Sequence, residues 1–330
     1  MTDSSGLFNI TRLASGGLIT NYSCPSRCGH CLYRCGPHRE STYIARETLE
    51  KNIEKIRSMG VRSVHVGGGE PFLDVESLVM TLETAARLNT RIEYVETNSS
   101  WFKDHHTAVS ILESLRSAGL DTLLISMSPF HNEFIPFRKV KGVLRACKAV
   151  GIRIFPWIGD FYNETDQFDD DRAHSMDEYE RRYGPDYLCA LPSRYWIHFG
   201  GRALDTFRRV YGGRDAERIV AEEGGPCLEL LDVTHFHIDL YGAYIPGLCS
   251  GLAIERDDLG RPLDQAEYPF LSLLFRGGVG ALLDRAADEF GYTAVRDFLN
   301  KCDLCYDIRR RLVAEIGVAS KDLAPIGHYV

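Results

Sequence analysis

The 330-residue chain has no stretch approaching 18 uninterrupted apolar residues, and its start, "MTDSSGLFNITRLASGGLIT", has no basic segment leading into an apolar run. Neither a membrane-spanning helix nor a secretory leader is expected, and no membrane partner; the expected location is the cytoplasm. Internal repeats and low-complexity tracts are also missing, which excludes solenoid and disordered architectures. Positive charge is in deficit, with 38 Lys and Arg against 46 Asp and Glu and a net charge of −8. That balance argues against a general nucleic-acid binder. Cysteine is scarce in the middle of the chain, where only Cys147 and Cys189 lie between residues 36 and 226. The remaining composition, 44% hydrophobic and 25% charged, is that of a globular protein long enough for two units or one barrel with an appendage.

What the chain does have is cysteine at its two ends. Eight of the ten fall in two zones, and in a cytosolic chain such groups read as metal ligands or catalytic thiols before disulfides. The first zone is "CPSRCGHCLYRC", residues 24 to 35. Cys24, Cys28 and Cys31 have the spacing C-x3-C-x2-C. Three thiolates from one compact loop can hold three irons of a [4Fe-4S] cluster and leave the fourth open, whereas a structural zinc wants four ligands. Cys35 is a candidate fourth ligand, because C-x2-C-x3-C-G-P partly echoes a bacterial ferredoxin run. The echo is imperfect: the first spacing is three, and Gly36 separates Cys35 from Pro37.

Between the zones, apolar runs alternate with amphipathic stretches. "GGLITNYS", "VRSVHV", "RIEYVET", "DTLLISMS" and "IRIFPWI" read as strands, separated by helices such as "TLEKNIEKIRSMG" and "VKGVLRACKAVG". "YWIHF", residues 195 to 199, is expected as a sixth strand, followed by a helix from about Arg202. Successive βα units imply a parallel sheet with right-handed crossovers, and ligands of such sheets bind at the C-terminal strand ends. The second strand ends in "VGGGEPF", where a glycine run allows backbone to approach a ligand closely and Glu70 reaches the same mouth as the cysteines. The acidic segment "GDFYNETDQFDDDRAHSMDEYERRYG" follows the fifth strand and reads as a solvated insertion.

Cys24, Cys28 and Cys31 after the first strand, with Gly68, Gly69 and Glu70 after the second, resemble a radical S-adenosylmethionine enzyme in order and context. The resemblance implies an α/β fold, a partial (β/α)6 TIM-type barrel over residues 1–215. It also implies a [4Fe-4S] cluster on the three cysteines, with S-adenosylmethionine chelating the open iron and cleaved reductively to start hydrogen abstraction. Cys35 is extra to the pattern, and His30 stands where the family usually has an aromatic residue. By the same resemblance Gly68, Gly69 and Glu70, Asn98, and the pair Ser126 and Arg138 are cofactor contacts, with Ser128 beside them. An Arg fork suits a carboxylate bidentately.

The second zone is Cys227 and Cys249, flanking an expected hairpin with Gly242 in its turn, and Cys302 and Cys305 in "KCDLC". Four thiols leave no iron open. They are similar to the Twitch form of the SPASM-type auxiliary-cluster domain, a small C-terminal iron–sulfur domain of hairpin and helices expected over residues 216–330, although the gap from Gly242 to Cys249 is longer than usual. A structural zinc on the same thiols is the competing assignment. His235 and His237 lie on one face of a strand and read as ordinary side chains. Cys147 reads as core, and Cys189 as a candidate hydrogen donor to a substrate radical.

The expected function is radical chemistry on a small polar metabolite, with two [4Fe-4S] clusters and reduced flavodoxin or ferredoxin as electron donor. Natural-product biosynthesis is one setting for it. Two alternatives in the same superfamily are maturation of a ribosomally made peptide, less favoured with about twenty residues before the cluster loop, and transfer of the 3-amino-3-carboxypropyl group. From another class, the chain would be a non-catalytic iron–sulfur electron-transfer protein.

Overall fold

The computed structural model describes residues 7–156 and 159–329. Its centre is one eight-stranded sheet in the order β5-β4-β3-β2-β1-β6-β7-β8. The strands are β1 (Gly16–Ile19), β2 (Ser63–Gly67), β3 (Arg91–Thr97), β4 (Thr122–Ile125), β5 (Arg153–Pro156), β6 (Phe236–Asp239), β7 (Ala243–Ile245) and β8 (Ile254–Glu255). The six from β5 to β6 are parallel, while β7 and β8 continue antiparallel. The sheet does not close, so the fold is a partial (β/α) barrel.

Helices α1 (Arg46–Ser58), α2 (Val75–Arg87), α3 (His105–Ser117) and α5 (Phe137–Val150) cross over between the strands, and the single turn α4 (Pro129–Asn132) precedes α5. Their amphipathic spacing sets the packing. In α1, Leu49, Asn52, Ile53 and Ile56 are buried at intervals of three and four and face the sheet. Val64 and Val66 of β2 are buried on the side of the apolar core. His65 and Gly67 alternate with them and point to the other side, the barrel interior. This interior sets histidine and glutamate side chains among apolar ones, and it is what the fold positions for chemistry.

Two expectations change. Residues 195–199 are irregular, and the sixth parallel strand is β6, paired with β1 on the opposite side of the sheet from β5. Tyr195 and Ile197 are buried and Trp196 is exposed, so the alternation that suggests a strand is present without a neighbouring strand to pair with. The acidic insertion contains two helices, α6 (Gly159–Thr165) and α7 (Met176–Tyr183). Its carboxylates reach back to basic residues: Asp166 and Asp170 to Lys141, and Asp171 to Arg138. Trp157 and Ile158, expected at the end of the fifth strand, lie outside the described residues.

The chain continues through α8 (Tyr187–Arg194), α9 (Arg202–Tyr211) and α10 (Ala216–Glu223) to the β6–β7 hairpin, then α11 (Pro269–Phe290) and α12 (Lys301–Arg310). Among the described residues no helix is long and apolar enough to cross a membrane.

Candidate active site

The first cysteine zone lies in the loop after β1, at the C-terminal mouth of the parallel strands. Cys24, Cys28 and Cys31 all line a cavity of about 250 Å³, together with Cys35, Gly68, Gly69, Asn98, Ser126 and Arg202. Two segments bring this about. The loop is fastened to the end of β2, where the Gly69 and Glu70 N–H groups donate to the Asn21 and Ser23 carbonyls at 2.9 Å each. A Cβ on Gly69 would stand 1.9 Å from the Ser23 carbonyl oxygen, so only glycine permits this approach. From the other side, Arg202 at the start of α9 grips the loop: its N–H donates to the Cys31 carbonyl at 3.0 Å, and its Nε to the Cys28 carbonyl at 3.0 Å. Its Nη2 also donates to the Cys35 carbonyl.

The donors around the sulfurs fit anionic ligands. Cys24 Sγ accepts from the Ser26 N–H at 3.4 Å and from Asn98 Nδ2 at 3.3 Å, and Cys31 Sγ accepts from the Cys35 N–H at 3.3 Å. Burial pushes the Cys24 thiol up to about 12 and Cys28 well above the ordinary range, while a hydrogen bond from Cys35 is the main cause that pulls Cys31 down to about 6. Two desolvated thiols beside a thiolate form a set that metal ligation would complete. Ser26 Oγ and His30 Nδ1, both on the cavity wall, are buried without a hydrogen-bond partner among the described residues, as polar atoms facing a polar occupant would be.

The other expected contacts divide. Asn98 and Ser126 reach the cavity. Gly68 and Gly69 present backbone to it, but the Glu70 carboxylate is fully buried and accepts from the Phe72 N–H (3.1 Å), the Asn98 N–H (2.7 Å) and the Thr97 hydroxyl (3.0 Å). Glu70 therefore ties the end of β2 to the end of β3. Ser128 is buried under its bond to His131 Nδ1 at 2.8 Å. Arg138 points away, half exposed and 3.3 Å from Asp171. Cys189 sits on α8, and its carbonyl accepts from the Tyr211 hydroxyl; neither it nor Arg138 is among the residues lining the cavity. Cys147 is fully buried in α5.

The residues missed from the sequence are Arg202, His131, Glu96 and a histidine group. Arg202 carried a signal, since it opens the helix after "HFGG". His30, in the family's aromatic position, stacks on Phe130 with ring centroids 4.7 Å apart and lies 3.2 Å from the Tyr195 hydroxyl.

The second cysteine zone also converges. Cys227, Cys249, Cys302 and Cys305 line one small cavity of about 40 Å³, with Gly200, Gly201, Lys301 and Arg309. Burial first, and then the neighbouring thiols, raise Cys227 and Cys302, and Cys249 reaches about 11. Arg309 is wholly buried there: its Nη1 donates to the Ser250 carbonyl at 3.0 Å and the Tyr329 hydroxyl at 2.8 Å, while its Nε has no partner among the described residues. A buried cation beside four thiols suits an anionic occupant. His198 borders both cavities, and residues 199–201 line the second.

Residues 18–170 match the family model described as the Radical SAM superfamily. No curated protein matches the chain. Among solved structures, "Native anSMEcpe with bound AdoMet and Cp18Cys peptide" is 14% identical, covering 92% of this chain and 98% of that one with a TM-score of 0.43. "Native anSMEcpe with bound AdoMet" is 15% identical over 70% and 74% of the two chains, with a TM-score of 0.39. Streptococcus suis SuiB bound to precursor peptide SuiA is 14% identical over 80% and 65%, with a TM-score of 0.34. The three-cysteine loop at the mouth of the partial barrel falls within the matched segment: residues 18–170 carry a Radical SAM domain, the domain of enzymes of that superfamily.

Proposed function

We propose that the chain cleaves S-adenosylmethionine reductively to begin hydrogen abstraction from a small polar metabolite, and that its second thiol group holds an auxiliary cluster that assists electron transfer. The observation that carries this reading is the convergence of Cys24, Cys28 and Cys31 on a single cavity at the strand ends. A [4Fe-4S] cluster held there would supply the electron that breaks a carbon–sulfur bond of the cofactor.

The chain's own part is placement. Arg202 and the Gly69 and Glu70 amides fix the loop that presents the three thiolates. Asn98 Nδ2 and the Ser26 amide stabilise charge on Cys24. The Gly68 and Gly69 backbone and Ser126 offer polar contacts for the amino-acid end of the cofactor. The rest of the wall sets a few polar groups, His131, Glu96, His198, His235 and His237, among apolar ones such as Leu32, Tyr94, Leu124 and Trp196, and those polar groups would orient a polar metabolite. Cys227, Cys249, Cys302 and Cys305 would hold the second cluster in the cavity on the other side of His198.

The test is anaerobic reconstitution with iron and sulfide, then dithionite and S-adenosylmethionine, with products read by mass spectrometry. Deoxyadenosine formed by the parent and lost in the Cys24, Cys28, Cys31 triple Ala variant, with about half the iron, supports the reading. Cys35→Ala is expected to keep both iron and cleavage, because Cys35 is extra to the three-cysteine spacing. A well-loaded protein that never cleaves the cofactor would overturn it in favour of a plain electron carrier.

A further inference from the structure

Beneath the cysteine loop, three histidines meet inside the barrel. His65 of β2 and His237 of β6 occupy the same register level on either side of β1, both aligned with Gly17. Gly17 is what lets them touch, since a Cβ there would lie 2.3 Å from His65 Nε2. The two Nε2 atoms are 3.0 Å apart. His235 completes the group, and one ligating atom from each ring lies within 4.8 Å of the others.

The ring separations fit a single ion between them, with the His65 and His235 planes 19° apart and the His237 plane nearly perpendicular to both. The three centroid separations are nearly equal, 5.2 Å for His65 to His235, 5.1 Å for His65 to His237 and 5.0 Å for His235 to His237. With metal–nitrogen bonds of about 2.0–2.1 Å and near-tetrahedral angles, imidazole centroids stand about 3.2 Å from the ion and so about 5 Å from each other. The rings are also held. Tyr33, between Cys31 and Cys35, places its hydroxyl 2.6 Å from His237 Nδ1, leaving Nε2 for the interior. Tyr94 stacks on His65 at 5.1 Å with planes 6° apart, and the Gly16 carbonyl takes a hydrogen bond from the His65 ring.

We infer that His65, His235 and His237 form a binding site for a divalent first-row transition-metal cation, with the open coordination position turned toward the cavity. His235 and His237 line that cavity, so the free side of the ion faces its space. Three imidazoles with one open position are the donor set of catalytic zinc, and the ligand they leave room for is an oxygen donor, a substrate carboxylate or hydroxyl. That substrate role rests on the cavity being the reaction chamber proposed above; the metal site itself does not. Tyr33 would act as a positioning residue, joining the cluster loop to the ion through one side chain.

The experiment loads the protein with iron and sulfide first, adds zinc, removes the excess and counts both metals. One zinc per chain beyond the iron-loaded sites is expected, with an X-ray absorption spectrum of nitrogen and oxygen neighbours at about 2.0 Å and no sulfur at about 2.3 Å. His235→Ala and His237→Gln should each lose that zinc while iron content is unchanged, which also reports that the variant has folded. Tyr33→Phe should keep the site but weaken zinc binding about 10- to 100-fold. No zinc uptake, a sulfur shell around the zinc, or zinc that survives both histidine substitutions would overturn the site. Iron content and cofactor cleavage in the same samples test the cluster independently, so failure of either reading leaves the other standing or falling on its own result.

Discussion

Arg202 holds three backbone groups of the cluster loop from one position, through its own N–H and through two nitrogens of its guanidinium. Lysine keeps the charge but has no planar fork, so Arg202→Lys should lose at least one charged hydrogen bond, about 1.5–3 kcal/mol. The expected outcome is faster loss of iron from the first site during desalting, with the second site unaffected. Glu96 gives a pH-dependent counterpart. It lines the cavity, and burial raises its carboxyl to about 7 from the ordinary 4.5. A raised acid stabilises the fold fully below the unfolded value, and this contribution is lost as pH rises through about 7. For a shift of this size the loss is on the order of 3 kcal/mol. Burial raises Glu70 to about 7 and Asp239 to about 6 as well, so Glu96→Gln should still weaken between pH 5 and pH 8 but by less than the parent in urea denaturation, the difference being the Glu96 share; a variant that weakens as much as the parent would show Glu96 to be solvated.

Among the elements, those whose cause is local were legible in advance. β3 runs Arg91–Thr97, the quoted "RIEYVET", and α9 begins at the expected Arg202, because alternation and capping are written into neighbouring residues. The convergence of Cys24, Cys28 and Cys31 on one mouth was legible for the same reason. Partner choice was not: residues 195–199 have the burial alternation of a strand, yet the place beside β1 belongs to β6, which only long-range pairing decides. Ser126 and Arg138 show the same limit in the site. Their spacing suggested a pair, but the carboxylates of the α5–α7 region draw Arg138 outward. The histidines at 65 and 237 are 172 residues apart and meet only because the sheet places both beside Gly17. Helix α12 shows how an element can present ligands: Cys302 and Cys305 flank the fully buried Asp303, which accepts from Arg208 Nε at 2.9 Å, Arg296 Nη2 at 3.1 Å and the Leu299 N–H at 2.9 Å. Asp303→Asn removes the anion that the two guanidinium groups share, leaving Arg208 with Asp205 at 3.4 Å and Arg296 with Asp307 at 2.8 Å, a cost of about 1.5–3 kcal/mol in charged hydrogen bonds. Chemical denaturation should register that loss, and iron should fall at the second site before the first.

At the scale of the whole molecule, the two cavities meet at His198, and the second thiol set is gathered from residues 227 to 305 across a hairpin and a helix. Burial raises the Cys227, Cys249 and Cys302 thiols above their ordinary value, so assembling them as thiolates needs a metal to offset the desolvation. Under the proposed assignment that metal is a second [4Fe-4S] cluster, and its position on the other side of His198 from the reaction chamber gives a substrate radical somewhere to pass its electron. Full thiolate ligation suits such a carrier, because no iron is left to bind the cofactor. The loaded parent should then contain about eight irons, two clusters of four. Cys302→Ala with Cys305→Ala should bring this to about four, with deoxyadenosine formation surviving and substrate conversion falling. A parent that holds about four irons and one zinc, with sulfur neighbours around the zinc, would assign the four thiols to a structural metal and remove the electron acceptor from the scheme.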